Sequence, residues 1–441
     1  MEYDVGFVGL GYVGLSTAVC FSNRRMKVLG IEIDTNKISQ IRKAKTPIHE
    51  KDMSELLKKA INKNNLVVSS DYNELQKTRI IFLTVGTPSN KNGSIDVRYI
   101  RQATKEIAKI IKSIDEYFLI VVKSTVVPGT SNNIIKKDLE KYSNKKLGKH
   151  FGIIANPEFL QEGKAIHDTF YPDRLVIGAD SKNELTMIKN LYKKFYRQLP
   201  PVIETSLVNA ELIKYSNNSF LATKISFMNY IARIAEEIPG ADVNDIKNAL
   251  GLDKRISDSF LNAGLGFGGS CFPKDVRALI AFSESVRVES DILKSVMRIN
   301  NTQFLQIISL LRNKLGTINN KKISILGLSF KPNTDDIREA TSIKIIEKLL
   351  KHGARVTVYD PIAIPNIKQI FGTSIKYTKN ARSCLKSSEC CLLVTEWEEF
   401  KKLNNDDITK LMKNPLIIDG RRLFSKNHFK KPVEYYAIGL G

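Results

Sequence analysis

The decapeptide GFGGSCFPKD, residues 266–275, places one of the chain's five cysteines among three glycines and a Lys-Asp pair. Pro273 suits the first position of a helix continuing through DVRALIAFSES, which would put Cys271 just ahead of a helix N-terminus and Asp275 in its first turn. A thiol there meets the positive end of the helix dipole, and the ammonium of Lys274 or Lys214 would favour thiolate further. Gly266, Gly268 and Gly269 would let a ligand pass close to the backbone. A lone cysteine is ordinarily an inert core residue, but this glycine-rich polar setting suits core packing badly. The expected chemistry is thiolate attack on an electrophilic carbon.

Groups able to support such an attack recur elsewhere. Residues 206–238 contain neither glycine nor proline before Pro239-Gly240, which predicts one long helix. At helical spacing Lys214, Asn218, Leu221, Ile225, Met228, Ala232 and Ala235 share a face, so an ammonium and an amide head an apolar stripe. Both are candidate donors to a tetrahedral oxyanion; a lysine snorkelling to solvent is the plainer alternative. Asp275 could hold a water against Lys214 and relay protons. Thr125, Glu158 and Glu162 could orient a hydrolytic water, the two glutamates lying four apart as a helix turn requires; solvated surface acids are the alternative.

These groups need elements to position them. The opening YDVGFVGLGYVGLSTAVCFSNRRMKVLGIEID reads strand, glycine turn, helix, strand, with Gly9, Gly11 and Gly14 in GxGxxG register. Gly9 makes the turn, Gly11 admits a pyrophosphate and Gly14 lets helix lie close on sheet, while Glu32, eighteen positions after Gly14, could accept both ribose hydroxyls. An acid there repels a 2'-phosphate and favours NAD over NADP. RIIFLTVGTP and FLIVVKSTVVPGT read as further strands, placing Thr87 and Thr125 at carboxyl ends where a cofactor lies in an open α/β sheet. After GIIANPEFLQEG and DRLVIGA the βα rhythm is expected to stop. KKISILGLSF and HGARVTVYDP then repeat the opening in outline without GxGxxG, predicting a second βαβ domain that is not an independent dinucleotide site. The expected architecture is α/β: two Rossmann-like doubly wound domains, 1–200 and 306–441, joined by a long central helix and an all-α middle segment, 201–305.

The combination is informative. A dinucleotide site implies hydride transfer, which needs no thiol. A cysteine becomes useful when the first oxidation yields an aldehyde that is oxidised again: thiolate adds, the thiohemiacetal is oxidised, and the thioester is hydrolysed to a carboxylate. Composition excludes several other readings. The cysteines, Cys20, Cys271, Cys384, Cys390 and Cys391, have no CxxC spacing and the five histidines no ligand pairing, so neither a disulfide framework nor a metal site is expected. No apolar run approaches a membrane span and the N-terminus lacks signal-peptide character, so a cytoplasmic location is expected. Lysines and arginines number 68 against 46 acids, a net +22, but they are spread along the chain and the densest stretch, LYKKFYR at 191–197, reads as a helix end; nucleic acid is not an expected partner.

The ordered set GLGYVG, GTP, KSTVVPGT, NPEFLQEG, LIKYSNNSF, FGGSCFPKD, LGLSFKPNTDDIREA, YDP, TEW and DGRR resembles, end to end, the nucleotide-sugar dehydrogenases of the UDP-glucose/GDP-mannose dehydrogenase family. The resemblance implies an NAD-binding domain, a homodimer formed through the central helix, and a C-terminal UDP-sugar domain, with UDP-glucose oxidised twice at C6. It implies Cys271 as covalent nucleophile, Lys214, Asn218 and Asp275 as its electrostatic and proton-handling partners, and Thr125, Glu158 and Glu162 as water-positioning residues. Implied cofactor contacts are Gly9, Gly11, Tyr12, Val13, Gly14, Glu32, Lys37, Thr87, Thr125, Glu162, Lys274 and Arg338. Implied substrate contacts are Glu158, Phe159, Leu160, Glu162, Lys214, Asn218, Arg255 (reaching into the partner), Asn262, Gly266, Phe267, Gly268, Cys271, Phe330, Lys331 and Arg421. Gln161 and Asn262 depart from arginine and lysine found in relatives, so contacts to uracil or phosphate are expected to be rearranged there. GDP-mannose or another nucleotide sugar is the alternative substrate, and a nucleotide-sugar-binding protein without catalysis the alternative class.

Overall fold

The structure, a computed structural model, describes all residues from Met1 to Gly441. The chain divides into two compact units, Met1–Asn217 and Asn218–Gly441.

In the first unit the apolar runs form strands β1 (Val5–Val8), β2 (Val28–Ile31), β3 (Leu66–Ser69), β4 (Ile80–Leu83), β5 (Phe118–Val122), β6 (Phe151–Ala155), β7 (Leu175–Ala179) and β8 (Val202–Thr205). They lie in the order β3-β2-β1-β4-β5-β6-β7-β8. The first six are parallel, β7 runs antiparallel to β6, and β8 is parallel to β7. The order reverses between β1 and β4, where an open sheet of this kind leaves a crevice at its carboxyl edge. Central strands such as β1, β5 and β6 are buried throughout because helices cover both faces, which is why they read as unbroken apolar runs. The helix Tyr12–Asn23 is pinned through Phe21, which stacks on Phe195 at 4.3 Å and meets Phe7 of β1 edge-on at 5.7 Å. Each fully buried ring contributes about 1.5–3 kcal/mol over its exposed state. The βα rhythm does not stop after DRLVIGA: helix Lys182–Phe195 and β8 follow. β8, VIET at the sheet edge, is partly exposed along its length and so lacks the buried apolar run by which the other strands read.

The helix Leu207–Glu236 begins in the first unit and continues into the second, ending just before Pro239-Gly240 as predicted. Helices Val243–Leu252, Phe272–Ser285, Asp291–Gln303 and Leu305–Leu315 follow without an intervening strand, giving the expected all-α segment. The second unit then forms strands β9 (Lys322–Leu326), β10 (Arg355–Tyr359), β11 (Lys376–Tyr377), β12 (Cys390–Leu393), β13 (Leu416–Asp419) and β14 (Glu434–Ala437). They are all parallel, in the order β11-β10-β9-β12-β13-β14. Both sheets thus contain the doubly wound 3-2-1-4-5-6 arrangement. No helix is long and apolar enough to cross a membrane.

Candidate active site

The glycine turn after β1 is built as its spacing requires. Gly9 has φ +94°, and a Cβ on Gly14 would lie 2.0 Å from the Gly9 carbonyl oxygen. A Cβ on Gly11, immediately before the helix, would meet nothing within 4 Å, so the space over that helix N-terminus is open to a ligand. Glu32 is buried at the end of β2. One carboxylate oxygen accepts from the Leu10 N–H at 3.0 Å, and the other from the N–H groups of Ile33 and Asp34 at 2.8 and 3.1 Å. Glu32 therefore also ties the glycine turn to the strand; with about four lone-pair sites it retains capacity for ribose. Lys37 lies 4.0 Å from it. Beyond β4 and β5, the buried Thr87 hydroxyl donates to the Thr125 carbonyl at 2.9 Å, joining two predicted cofactor residues.

Also in the first unit, Glu158 and Glu162 are not on a helix. The segment following β6 is irregular until the short helix Ala165–Phe170, because Pro157 and Gly163 break the pattern their spacing suggested. Glu158 is buried and Glu162 half-buried. Lys214 donates to Oε1 of Glu158 at 3.0 Å, and the Leu160 N–H donates to Oε2 at 2.6 Å. Lys214 is itself buried and paired, so it is no snorkelling surface lysine. Burial alone would raise the Glu158 carboxyl; Lys214 by charge and hydrogen bond, the Leu160 N–H and the charge of Lys123 outweigh it and hold the group below the usual carboxylate range. Lys123 is a buried amine that the sequence analysis did not single out. Burial, opposed by Glu158 and reinforced by Lys214, brings it down to about 8, and it donates to Asn156 Oδ1 at 3.2 Å. Phe159 carries the Arg174 guanidinium over its ring at 4.2 Å, and Arg174 donates to Asn217 Oδ1 at 2.9 Å.

In the second unit, Cys271 is the N-cap residue of helix Phe272–Ser285; Phe272 takes the first helical position and Pro273 the second, one place later than expected. Ser270 Oγ lies 3.5 Å from the thiol sulfur. The other four cysteines are buried, and burial pushes each of their thiols up; Cys271 alone is only partly buried. Asp275, in the first turn and buried, accepts from Lys274 Nζ at 2.5 Å and from Asn218 Nδ2 at 2.6 Å. Its side-chain partners thus include Lys274 and Asn218.

The glycine loop ahead of the cysteine is over-determined. Gly266 has φ +99°, and a Cβ on Gly269 would lie 2.7 Å from the Phe330 ring. Asn300 accepts from the Phe267 N–H at 2.7 Å and donates back to its carbonyl at 3.0 Å, while Arg421 donates to the Gly266 carbonyl at 3.1 Å. A Cβ on Gly268 would lie 2.5 Å from the Glu339 carbonyl oxygen. Asn262 is exposed, and Lys331 is partly buried, 5.7 Å over the Phe330 ring. Arg338 and Arg255 are exposed and pair with Asp336 and Asp253 of their own loops. The strand-end acid Asp360 is instead consumed internally: it accepts from the N–H groups of Leu328, Ser329, Ile362 and Ala363 and from Trp397 Nε1. No lone pair is left for a ribose, in keeping with a second sheet that lacks GxGxxG.

Three comparisons bear on this architecture. Models of the UDP-glucose/GDP-mannose dehydrogenase family match the NAD binding domain over residues 3–196, the central domain over 208–302 and the UDP binding domain over 324–426. A UDP-glucose 6-dehydrogenase of Bacillus subtilis is 39% identical over 437 residues, covering 99% of this chain and 93% of the relative. One of Rickettsia prowazekii is 40% identical over 440 residues, 99% of each chain. The solved UDP-glucose dehydrogenase of Pyrobaculum islandicum superposes with a TM-score of 0.92 at 34% identity, covering 100% of this chain and 98% of that one.

Proposed function

Because the chain belongs to the UDP-glucose/GDP-mannose dehydrogenase family, we propose that it oxidises UDP-glucose twice at C6, with NAD, to UDP-glucuronate through a thioester on Cys271. The observation that carries the reading is the placement of Cys271: one partly buried thiol at a helix N-terminus in a glycine loop, against four thiols sealed in cores.

The residues of the first unit fit the cofactor: open space at Gly11, enforced glycine at Gly14, and a strand-end acid. When bound, NAD accepts a hydride in each oxidation. The protein's own groups do the rest. The Cys271 thiolate, favoured by the helix dipole, adds to the C6 aldehyde and holds it until it is oxidised to the thioester. The Lys214 ammonium and the Asn218 amide, one turn apart on one helix, donate to the tetrahedral oxyanions. Asp275 takes and returns the proton, and its contacts with Lys274 and Asn218 hold it in place. Glu158, kept ionised by Lys214, acts with Glu162 and Thr125 on the water that releases the carboxylate. Arg421, Phe330, Lys331 and the 262–268 loop form the nucleotide-sugar side.

The same reading includes a homodimer and a reducing cytoplasmic location, which would keep the five cysteines free. The long helix supports the dimer: Val208, Leu212, Phe220, Phe227, Tyr230 and Ile234 form an exposed apolar stripe along it.

The test is NADH formed from a limiting amount of UDP-glucose. About two per sugar is expected. Two per sugar with GDP-mannose or UDP-N-acetylmannosamine alone would redirect the substrate, and none with any of them would overturn the enzyme.

A further inference from the structure

Glu50 lies outside every motif discussed above, in the irregular stretch between helices Thr35–Arg42 and Met53–Asn62, yet its side chain is buried. A buried carboxylate is costly unless its lone pairs are filled. Glu50 fills them from two distant segments. Oε1 accepts from the Ala165 N–H at 3.1 Å, and Oε2 from the Gly163 N–H at 2.8 Å and from the Tyr12 hydroxyl. The Tyr12 oxygen also accepts from the Gly163 N–H at 2.9 Å.

Capping the short helix Ala165–Phe170 needs only the first of these bonds. The second falls on the residue following Glu162, and its co-acceptor Tyr12 is the first residue of the helix after the glycine turn. On the other side of Glu162, the Gln161 N–H donates to Asp168 at 2.9 Å. The backbone around Glu162 is therefore held at both ends, and at the Glu50 end the hydrogen bonds run directly to Tyr12 in the helix that follows GxGxxG.

We propose that Glu50 is a positioning residue: with Tyr12 it clamps the 162–165 backbone to the start of that helix and so fixes the Glu162 carboxylate for hydrolysis of the Cys271 thioester. The inference rests on the function proposed above. Loss of the clamp leaves addition and oxidation at Cys271 in place and slows acyl release.

Glu50→Gln keeps the shape but turns an NH2 toward a backbone N–H that needs an acceptor. Two readouts test it. In the chain without ligands, amide hydrogen exchange over residues 161–166 should quicken about tenfold or more while the rest of the first unit is unchanged. In turnover quenched with acid, intact mass should show the acylated Cys271 fraction rising as kcat falls about tenfold, with KM for the nucleotide sugar within about threefold. Tyr12→Phe should move both readouts the same way by less, and carries the test if Glu50→Gln fails to fold. Wild-type exchange over 161–166, or an acylated fraction equal to wild type, overturns the clamp. Wild-type turnover itself tests the underlying reaction, so the two failures are distinct.

Discussion

Lys214 Nζ lies 3.0 Å from Glu158 Oε1, both side chains are almost wholly buried, and the second buried amine of Lys123 acts on each of them. One carboxylate thus serves two amines in a low-dielectric setting, where removing a partner costs more than the pair gains.

Glu158→Gln should destabilise the protein by about 3–5 kcal/mol near neutral pH, since it leaves a buried ammonium without its anion. The folded carboxyl lies below its usual range, so its stabilisation is present above the unfolded value of about 4.3 and lost as pH falls through the folded one. Urea titrations should therefore show the wild-type advantage over Glu158→Gln shrinking as pH drops below about 4.

Lys123→Met should reveal a slope of the same sign in a higher pH window. The folded amine sits at about 8 against 10.5, so the unfolded chain binds more protons between those values and wild-type stability rises with pH there. Wild type should gain about 3 kcal/mol relative to Lys123→Met between pH 7 and pH 10.5, measured by denaturant unfolding.

Cys271→Ala should lower turnover by a factor on the order of 10³ or more. Stability should change by less than about 1 kcal/mol, because the thiol is not in a core. In the native wild type, brief alkylation followed by intact mass should show one modified thiol, absent from the variant.

Gly11→Ala and Gly14→Ala should separate binding from folding. A methyl at Gly11 enters open space but gives up glycine's N-cap preference over alanine, so unfolding should change by at most about 1 kcal/mol while NAD affinity falls about tenfold or more. A methyl at Gly14 strikes the Gly9 carbonyl and should cost about 1–3 kcal/mol in stability as well. Calorimetric titration and thermal unfolding of each variant check both halves.

Phe220→Asp with Phe227→Asp, both on the exposed stripe of the long helix, should convert a dimer to monomers in sedimentation without loss of helix content. Unchanged sedimentation would overturn the proposed dimer through this helix.

The amino-acid sequence by itself determined the local grammar: the glycine turn and the acid closing β2, the long helix with its Pro-Gly stop, and the thiol just ahead of a helix. Each depends on steric rules or periodicities spanning a few residues, and Gly14 shows how strict they are, since no other side chain fits beneath the Gly9 carbonyl. The tertiary structure alone decided who faces whom. The four-residue spacing of Glu158 and Glu162 fits a helix turn and a loop alike, and Pro157 and Gly163 beside them decide for the loop. The reversal at β7 was invisible because strand direction is set by pairing, not composition. Asn300 and Glu50 lie in no motif, and Lys123, though it opens KSTVVPGT, shows nothing in the sequence of its burial between two charges. Their roles arise from burial and from partners far away in sequence, as Glu50 meets Gly163 across 113 positions, and a buried charge becomes meaningful only once the fold supplies what neutralises it.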